Sequence, residues 1–566
     1  MALQASGSIK FSDIATELSY SSTNFSFSNT AARQLAGTVG VPTNLGSFRN
    51  KSRNWHLTLQ TASNGTTEWS YISHMKVGPD GCLYLLDRTY ETTGGNVTAC
   101  VYKLNTDGAS IVWTRTISPA TATSNFSPKN LDIDSSGNVY VVTYEWATRA
   151  RGNIILVKLN SSGTLVWKKQ YYTTTATAST NSYNASGTYS NGLQRIEGFS
   201  PRVAIDNSGN PVITTEQTNG RTYDNYAWGN DSWMSIIRIN PSDGTILNNF
   251  AQRVKAPTDT TVSWNSVNPS LHFDATFSPQ DIFFDSSNNG YVKSLIIPKD
   301  ARYQDYFECI TKFSTTAITR NTIFCNYGNG STRMQLSSDE SNFYIGIDGK
   351  VGKIGSALTG SSYTYTKTIT QTAANGGVDL ATNLLATKDN RFIQTREVRT
   401  NYESRLGPKI LVFNSDGSLQ YQFINTVTST INNANMSSLG NGMPSPDYCS
   451  CIDSYNQVYT AVRLNDYNFS PTRRSYIISK VPIDNTRKGT ITIGNYTVNF
   501  NTDTAYTIGT GPAIQAASLD CTSGNANQPQ DPTLVSINTS LAYSVSDSTV
   551  GITNSGINSL AVKANI

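Results

Sequence analysis

Charge is scarce in this sequence. Asp, Glu, Lys and Arg together make up 14% of the 566 residues, against about 25% in ordinary soluble domains. The formal net charge of +4 is spread without any Lys/Arg block, so the electrostatic footprint of a DNA- or RNA-binding surface is missing and nucleic acid is excluded as an expected partner. Histidine is rarer still. The chain has three, His56, His74 and His272, none of them in a Gly-x-Ser-x-Gly or catalytic-cysteine setting, which removes the sequence signal for a Ser–His or Cys–His nucleophile. Seven cysteines, an odd number in so long a chain, make no disulfide framework. They are expected as reduced, small apolar core residues. The closest pair, Cys449-Ser450-Cys451, lacks a second ligand pair at zinc spacing, and alternation along a strand places both thiols on one packed face. Neither a metal nor a cofactor is expected. No apolar run approaches the ~18 residues of a membrane helix. Met1 to Lys10 carries neither the basic nor the apolar region of a secretory signal, so synthesis without export by that route is expected.

Ser, Thr, Asn, Gly and Tyr are plentiful instead, a composition suited to a β-rich, turn-rich particle or extracellular protein. The stretch LDIDSSGNVYVVTYEWATRARGNIILVKLNSSGTLVWKKQYY, residues 131–172, reads as four short strands. Its turns DSSGN and NSSGT supply the Gly, Asn, Asp and Ser that tight connections require, and its flanks are rich in Val, Ile, Tyr and Trp. Asp132, Asp134, Ser136 and Gly137 superficially resemble a calcium loop, but the twelfth position is Thr143 rather than a bidentate Glu. A β-turn is the expected reading.

The unit recurs. Copies begin at SHMKVGPDG, LDIDSSGN, PRVAIDNSGN, PQDIFFDSSNN, a worn fifth around 334–370, ATNLLATKDN and DYCSCIDSYNQ. Seven starts between residues 71 and 483 give a spacing of roughly 60, above the ~40–50 of typical four-stranded blade repeats; the excess must lie in loops. Asp134, Gly137, Asn138 and Tyr140 carry a resemblance to bacterial and phage β-propeller repeats of the Asp-x-x-Gly-Asn-x-Tyr type. The expected fold is therefore all-β: a seven-bladed β-propeller over 54–484, with an extended N-terminal arm over 1–53 and a small C-terminal β appendix or tail over 485–566. The last copy stops after three strands, while WHLTLQT at 55–61 is an orphan outer strand, so the ring is expected to close by pairing 55–61 with 475–484. The short turns all fall on one face of the disc. The long connections fall on the other, which is the face expected to be elaborated.

The arm opens MALQASGSIKFSDIATEL. Leu3, Ser6, Gly7, Ile9, Ser12, Asp13 and Ile14 make this start similar to the short N-termini of assorted bacteriophage virion and tail proteins. The resemblance implies a virion location, assembly in the host cytoplasm, and anchoring to other virion proteins through the arm, with Leu3, Ser6, Ile9, Phe11, Asp13 and Ile14 as anchoring residues. The tail, polar and without enough apolar area for its own core, is expected to dock on a neighbour.

The elaborated loops are rich in Tyr183, Tyr189, Tyr223, Tyr226, Trp228, Trp233 and Trp264. Aromatics with polar tips supply rigid contact area, so these residues are the expected recognition face for a host surface glycan or protein; the alternative is that they pack the loops together. Paired carboxylates for glycoside hydrolysis would come from Glu145, Glu197, Glu216, Asp224 and Asp231 on the same loops. The expectation is a structural, non-enzymatic component of a tail, baseplate or fibre attachment region, with a glycan-binding or glycan-degrading receptor module as the alternative.

Overall fold

A computed structural model describes residues 10, 13, 14, 55–60, 68–91, 97–105, 110–119, 125–148, 151–173, 176, 177, 182, 183, 189, 190, 194–219, 232–255, 275–298, 306–326, 333–347, 349–358, 364–371, 379–400, 404–429, 450–464, 475–483, 488–493, 496–502, 506–510, 533–539, 543–553 and 560–564. Among the described residues the strands form seven antiparallel blade sheets, each running outward from an inner strand through the three that follow it, and one separate two-stranded ribbon. Each inner strand lies against the inner strand of the next sheet, and the last, Ser450–Ile452, returns to the first, Glu68–Val77. The chain is a seven-bladed β-propeller.

Blade 2 is the plainest copy: inner strand Asn125–Ile133, then Val139–Thr148, Arg151–Leu159 and outer strand Leu165–Thr173. Each blade buries both faces in the clefts between neighbours rather than in one central core. Between blades 1 and 2, for example, Val101, Trp113 and Ile117 meet Leu131, Val141 and Ile155. Seven such clefts replace the single core that a chain of this length would otherwise need. Blade 7 closes with a strand from the other end of the ring: Trp55–Gln60 runs antiparallel to Ser475–Pro482, with Leu57 opposite Ile478 and Gln60 opposite Ser475. His56 is buried there, its Nδ1 2.8 Å from Ser479 Oγ.

The plain face shows why the repeat residues recur. In blades 2, 4 and 7 the turn aspartate accepts from a tyrosine on the second strand: Tyr140 to Asp134 at 3.3 Å, Tyr291 to Asp285 at 3.0 Å and Tyr459 to Asp453 at 3.3 Å. A lysine from the third strand lies over the same ring, Lys158 at 5.3 Å from the Tyr140 centroid and Lys480 at 5.4 Å from that of Tyr459. These cations also tie one blade to the next. Lys103 and Trp113 both donate to the Ser161 carbonyl, at 3.1 and 3.0 Å. One blade on, Lys158 and Trp167 both donate to the Pro241 carbonyl, at 2.8 and 3.0 Å. Gly163 has a φ of +78°, and a Cβ there would lie 2.7 Å from the Trp113 ring; conformation and space together demand glycine.

The C-terminal segment departs from expectation. Its described strands form no separate appendix but add to the outer edges of the ring's own blades. Gly489–Ile493 and Tyr496–Thr502 form a hairpin, with Ile493 opposite Tyr496, and the second strand pairs with the outer strand of blade 6. Tyr506–Thr510 then joins blade 5, Thr533–Thr539 blade 3, Tyr543–Asp547 blade 2, Gly551–Thr553 blade 1, and Leu560–Ala564 pairs with Trp55–Gln60 in blade 7. The segment is a belt that retraces the ring backwards. Residues 511–532, between the blade 5 and blade 3 strands, lie outside the described residues. The physical reason is economy of apolar residues. The belt has too few for a core of its own, but each strand needs only one or two to fill a cleft between blades: Ile493 and Val498 join Val462 and Ile477, Phe500 joins Phe423, and Val550 joins Ile117.

Candidate functional site at the axis of the ring

The polar side chains that sequence reasoning passed over are on the inner strands. In blades 1, 2, 3, 4 and 6 the inner strand carries one extra residue at the same height, a β-bulge against its second strand. Counted back from the last inner-strand residue, the equivalent positions are Ser73, Lys129, Pro201, Gln280 and Thr382. Bulges bend a strand and re-aim side chains, and they favour the surroundings of binding sites. A signal for them is present in the sequence as SPKN, SPRV and SPQD, because proline inside a strand is tolerated at bulges and edges.

The residue after each bulge stitches its blade to the next. Asn130 reads both backbone groups of Val203, donating to its carbonyl and accepting from its N–H, each at 2.9 Å. Arg202 Nε donates to the Gln280 carbonyl at 3.0 Å. Asp281 accepts from Arg333 and from the Met334 N–H, both at 3.3 Å. Asn383 Nδ2 donates to the Ser450 carbonyl at 2.8 Å. In blade 1 the position is His74, whose Nδ1 accepts from the Leu131 N–H at 3.5 Å. Burial first, then the charges of Lys76, Arg202 and Arg333, push His74 down to about 3, so the ring stays neutral and able to accept.

The carboxylates nearby are engaged by protein donors. Asp132 pairs with Lys76 and accepts from the Ile205 N–H at 2.8 Å. Asp134 accepts from the N–H groups of Ser136 and Asn138, both at 2.9 Å. The loop that resembled a calcium site is thus a capped turn bonded across blades, and among the described residues no group of three or more His, Cys, Asp and Glu is placed to hold a metal. Cys82, Cys100, Cys309 and Cys451 are buried free thiols, and burial pushes Cys309 up to about 12. Cys449 lies outside the described residues.

The expected recognition residues divide. Tyr183 and Tyr189 are backbone register partners in a two-stranded ribbon of their own. Trp233 sits in the third strand of blade 3, opposite Gln217 and Arg253, rather than in a loop. Tyr223, Tyr226, Trp228 and Trp264 lie outside the described residues, as do Leu3, Ser6, Ile9 and Phe11 of the arm. Asp13 and Ile14 form a short helical turn in which Asp13 accepts from the Lys10 N–H at 2.8 Å and Ile14 is buried. Of the carboxylates expected on loops, Glu145 and Glu216 are buried on the second strands of blades 2 and 3, and Glu197 is on the inner strand of blade 3. The strands of blade 3 simply run longer than their polar, glycine-containing ends suggest. Asp224 and Asp231 lie outside the described residues.

No family model matches the chain, and no curated protein does. Among solved structures it is similar to a protein of unknown function from Dyadobacter fermentans, at 11% identity and a TM-score of 0.33, over 75% of this chain and 98% of that one. It is also similar to a hypothetical protein from Leishmania major, at 8% identity and a TM-score of 0.24, over 51% of this chain and 87% of the other.

Proposed function

We propose that this protein is a rigid, non-enzymatic interaction platform of a bacteriophage particle, in its tail, baseplate or fibre attachment region. The observation that carries the platform reading is the belt: among the described residues, six of the seven blades have an extra edge strand supplied by the same chain. Covered edges suppress unwanted strand pairing, and a ring laced at its rim suits a part that must hold its shape. The polar repeat residues point the same way, since Asp134, Tyr140, Lys158 and Trp167 serve inter-strand and inter-blade bonds rather than a reaction. The particle setting rests on the N-terminal start, whose Ile9, Asp13 and Ile14 are similar to those of virion proteins. Partners in this reading are other virion proteins, reached through the arm and the outward side of the belt, in a particle assembled in the host cytoplasm. Mass spectrometry of gradient-purified particles tests it: the chain should co-purify at a fixed ratio to known coat proteins, and its absence from intact particles would falsify the setting.

One observation favours the alternative, a glycan-binding face: Tyr183 and Tyr189 at paired positions of a small ribbon. Paired aromatics suit the faces of sugar rings. Incubation with host surface polysaccharide decides the matter, with binding lost on Tyr183→Ala and Tyr189→Ala supporting this face, and chain cleavage refuting a non-enzymatic role.

A further inference from the structure

Three consecutive blades carry a cation at, or within two register positions of, the inner-strand bulge. Lys129 is the extra residue in the bulge of blade 2, between Pro128, opposite Thr143, and Asn130, opposite Val142. Arg202 directly follows the corresponding bulge of blade 3, and Arg88 stands on the second strand of blade 1, opposite Tyr71. At equivalent bulge positions the polar side chains have protein partners: Ser73 donates to the Leu86 carbonyl at 3.1 Å, and Gln280 accepts from Lys293 at 2.6 Å. Half-buried Lys129 has no acceptor among the described residues.

We propose that the blade 2 bulge at Lys129 binds an oxyanion group, a sulfate or phosphate ester or a sugar carboxylate, held by Lys129 with the positive charges of Arg88 and Arg202 on the adjoining blades. Guanidinium groups match such oxygens in a planar fork, and an ammonium adds a point charge. On the strand of Lys129 and those packed against it, blade 1 contributes His74, Lys76, Asp87 and Arg88, blade 2 its own Asp132 and Glu145, and blade 3 Glu197 and Arg202. The charges that act on Lys129 are the cations Arg202 and Arg88; after burial, the larger cause, they lower it to about 7. An ammonium held down by two like charges gains most from an anion placed among them. The site is independent of the particle setting, because it rests on the inner strands alone.

The test is calorimetric titration of the full chain at low salt, at pH 6.0 and 8.5, with two probes whose own charge is constant over that range: sulfate and glucuronate. Binding of either to the wild type at pH 6.0 is expected, at least threefold weaker at pH 8.5, and at least tenfold weaker at pH 6.0 for Lys129→Met. Which probe binds distinguishes a tetrahedral ester from a carboxylate. Lys129→Arg guards against a folding artefact: it keeps its charge across the range, so it should bind with the pH dependence abolished. Failure of both probes on the wild type overturns the proposal. So does undiminished binding by Lys129→Met, or a pH dependence unchanged in Lys129→Arg.

Discussion

The hub and the rim of this ring are held in different ways. At the hub, inner strands of different blades share no ladder among the described residues, and junctions depend on particular side chains: Asn130 on Val203, Arg202 on Gln280, Asn383 on Ser450. At the rim, the belt adds a strand to a blade edge through backbone pairing, and its side chains matter mainly where one dips into a cleft, as Phe500 does. A side-chain bond can be broken by one substitution, whereas a backbone ladder tolerates almost any residue that will extend. The hub is therefore specified residue by residue and the rim segment by segment.

The largest effect should come from removing the rim whole. Truncation of 485–566 exposes outer strands in six blades and uncovers Val462, Ile477 and Phe423. The melting temperature is expected to fall by ~10 °C or more with aggregation on heating, read by calorimetry; an unchanged transition would make the belt a decoration. Next is Asn130→Leu at the hub, which leaves the buried N–H and C=O of Val203 without their partners. Leaving buried polar groups unsatisfied predicts a loss of about 2–3 kcal/mol by denaturant unfolding.

Lys129→Met works in the opposite direction. Its amine sits below its unfolded value, so over the pH range between about 7 and that higher value the unfolded chain binds more protons and wild-type stability rises with pH. The substitution is expected to raise the melting temperature more at pH 6 than at pH 9. Equal gains at both would mean that repulsion and burial do not act on this amine. The smallest effect belongs to an exposed belt residue: Thr507→Val, with Thr507 opposite Thr370, should change stability by less than ~0.5 kcal/mol. A loss matching that of Asn130→Leu would erase the distinction between hub and rim.

The same distinction governs how much of the molecule was legible in the sequence. The blades were, because each turn repeats a local chemistry, Asp134 to Tyr140 or Asp285 to Tyr291, that depends on neighbours a few residues away. The belt's strands were visible as alternating segments, but not their destination. Edge pairing is carried by the backbone, and nothing in TLVSINT or YSVSD names the blade it will join. The axial residues were missed for the reverse reason. Lys129 and Arg202 each directly follow a proline in the recurring Ser-Pro pair, with Asn130 one residue further on, yet the loops are conspicuous for their length and aromatic content. A one-residue bulge changes neither.

The last belt strand, Leu560–Ala564, lies on Trp55–Gln60, the strand that closes the ring. Under mechanical load this sets an order. Tension applied beyond residue 564 reaches blade 7 first, then blades 1, 2, 3, 5 and 6 in turn, so the belt comes away as a series of small ruptures with the ring still closed. Only after the final one does force bear on blade 7's own Ser475–Pro482. A load on this end would meet a shock absorber before it met the disc.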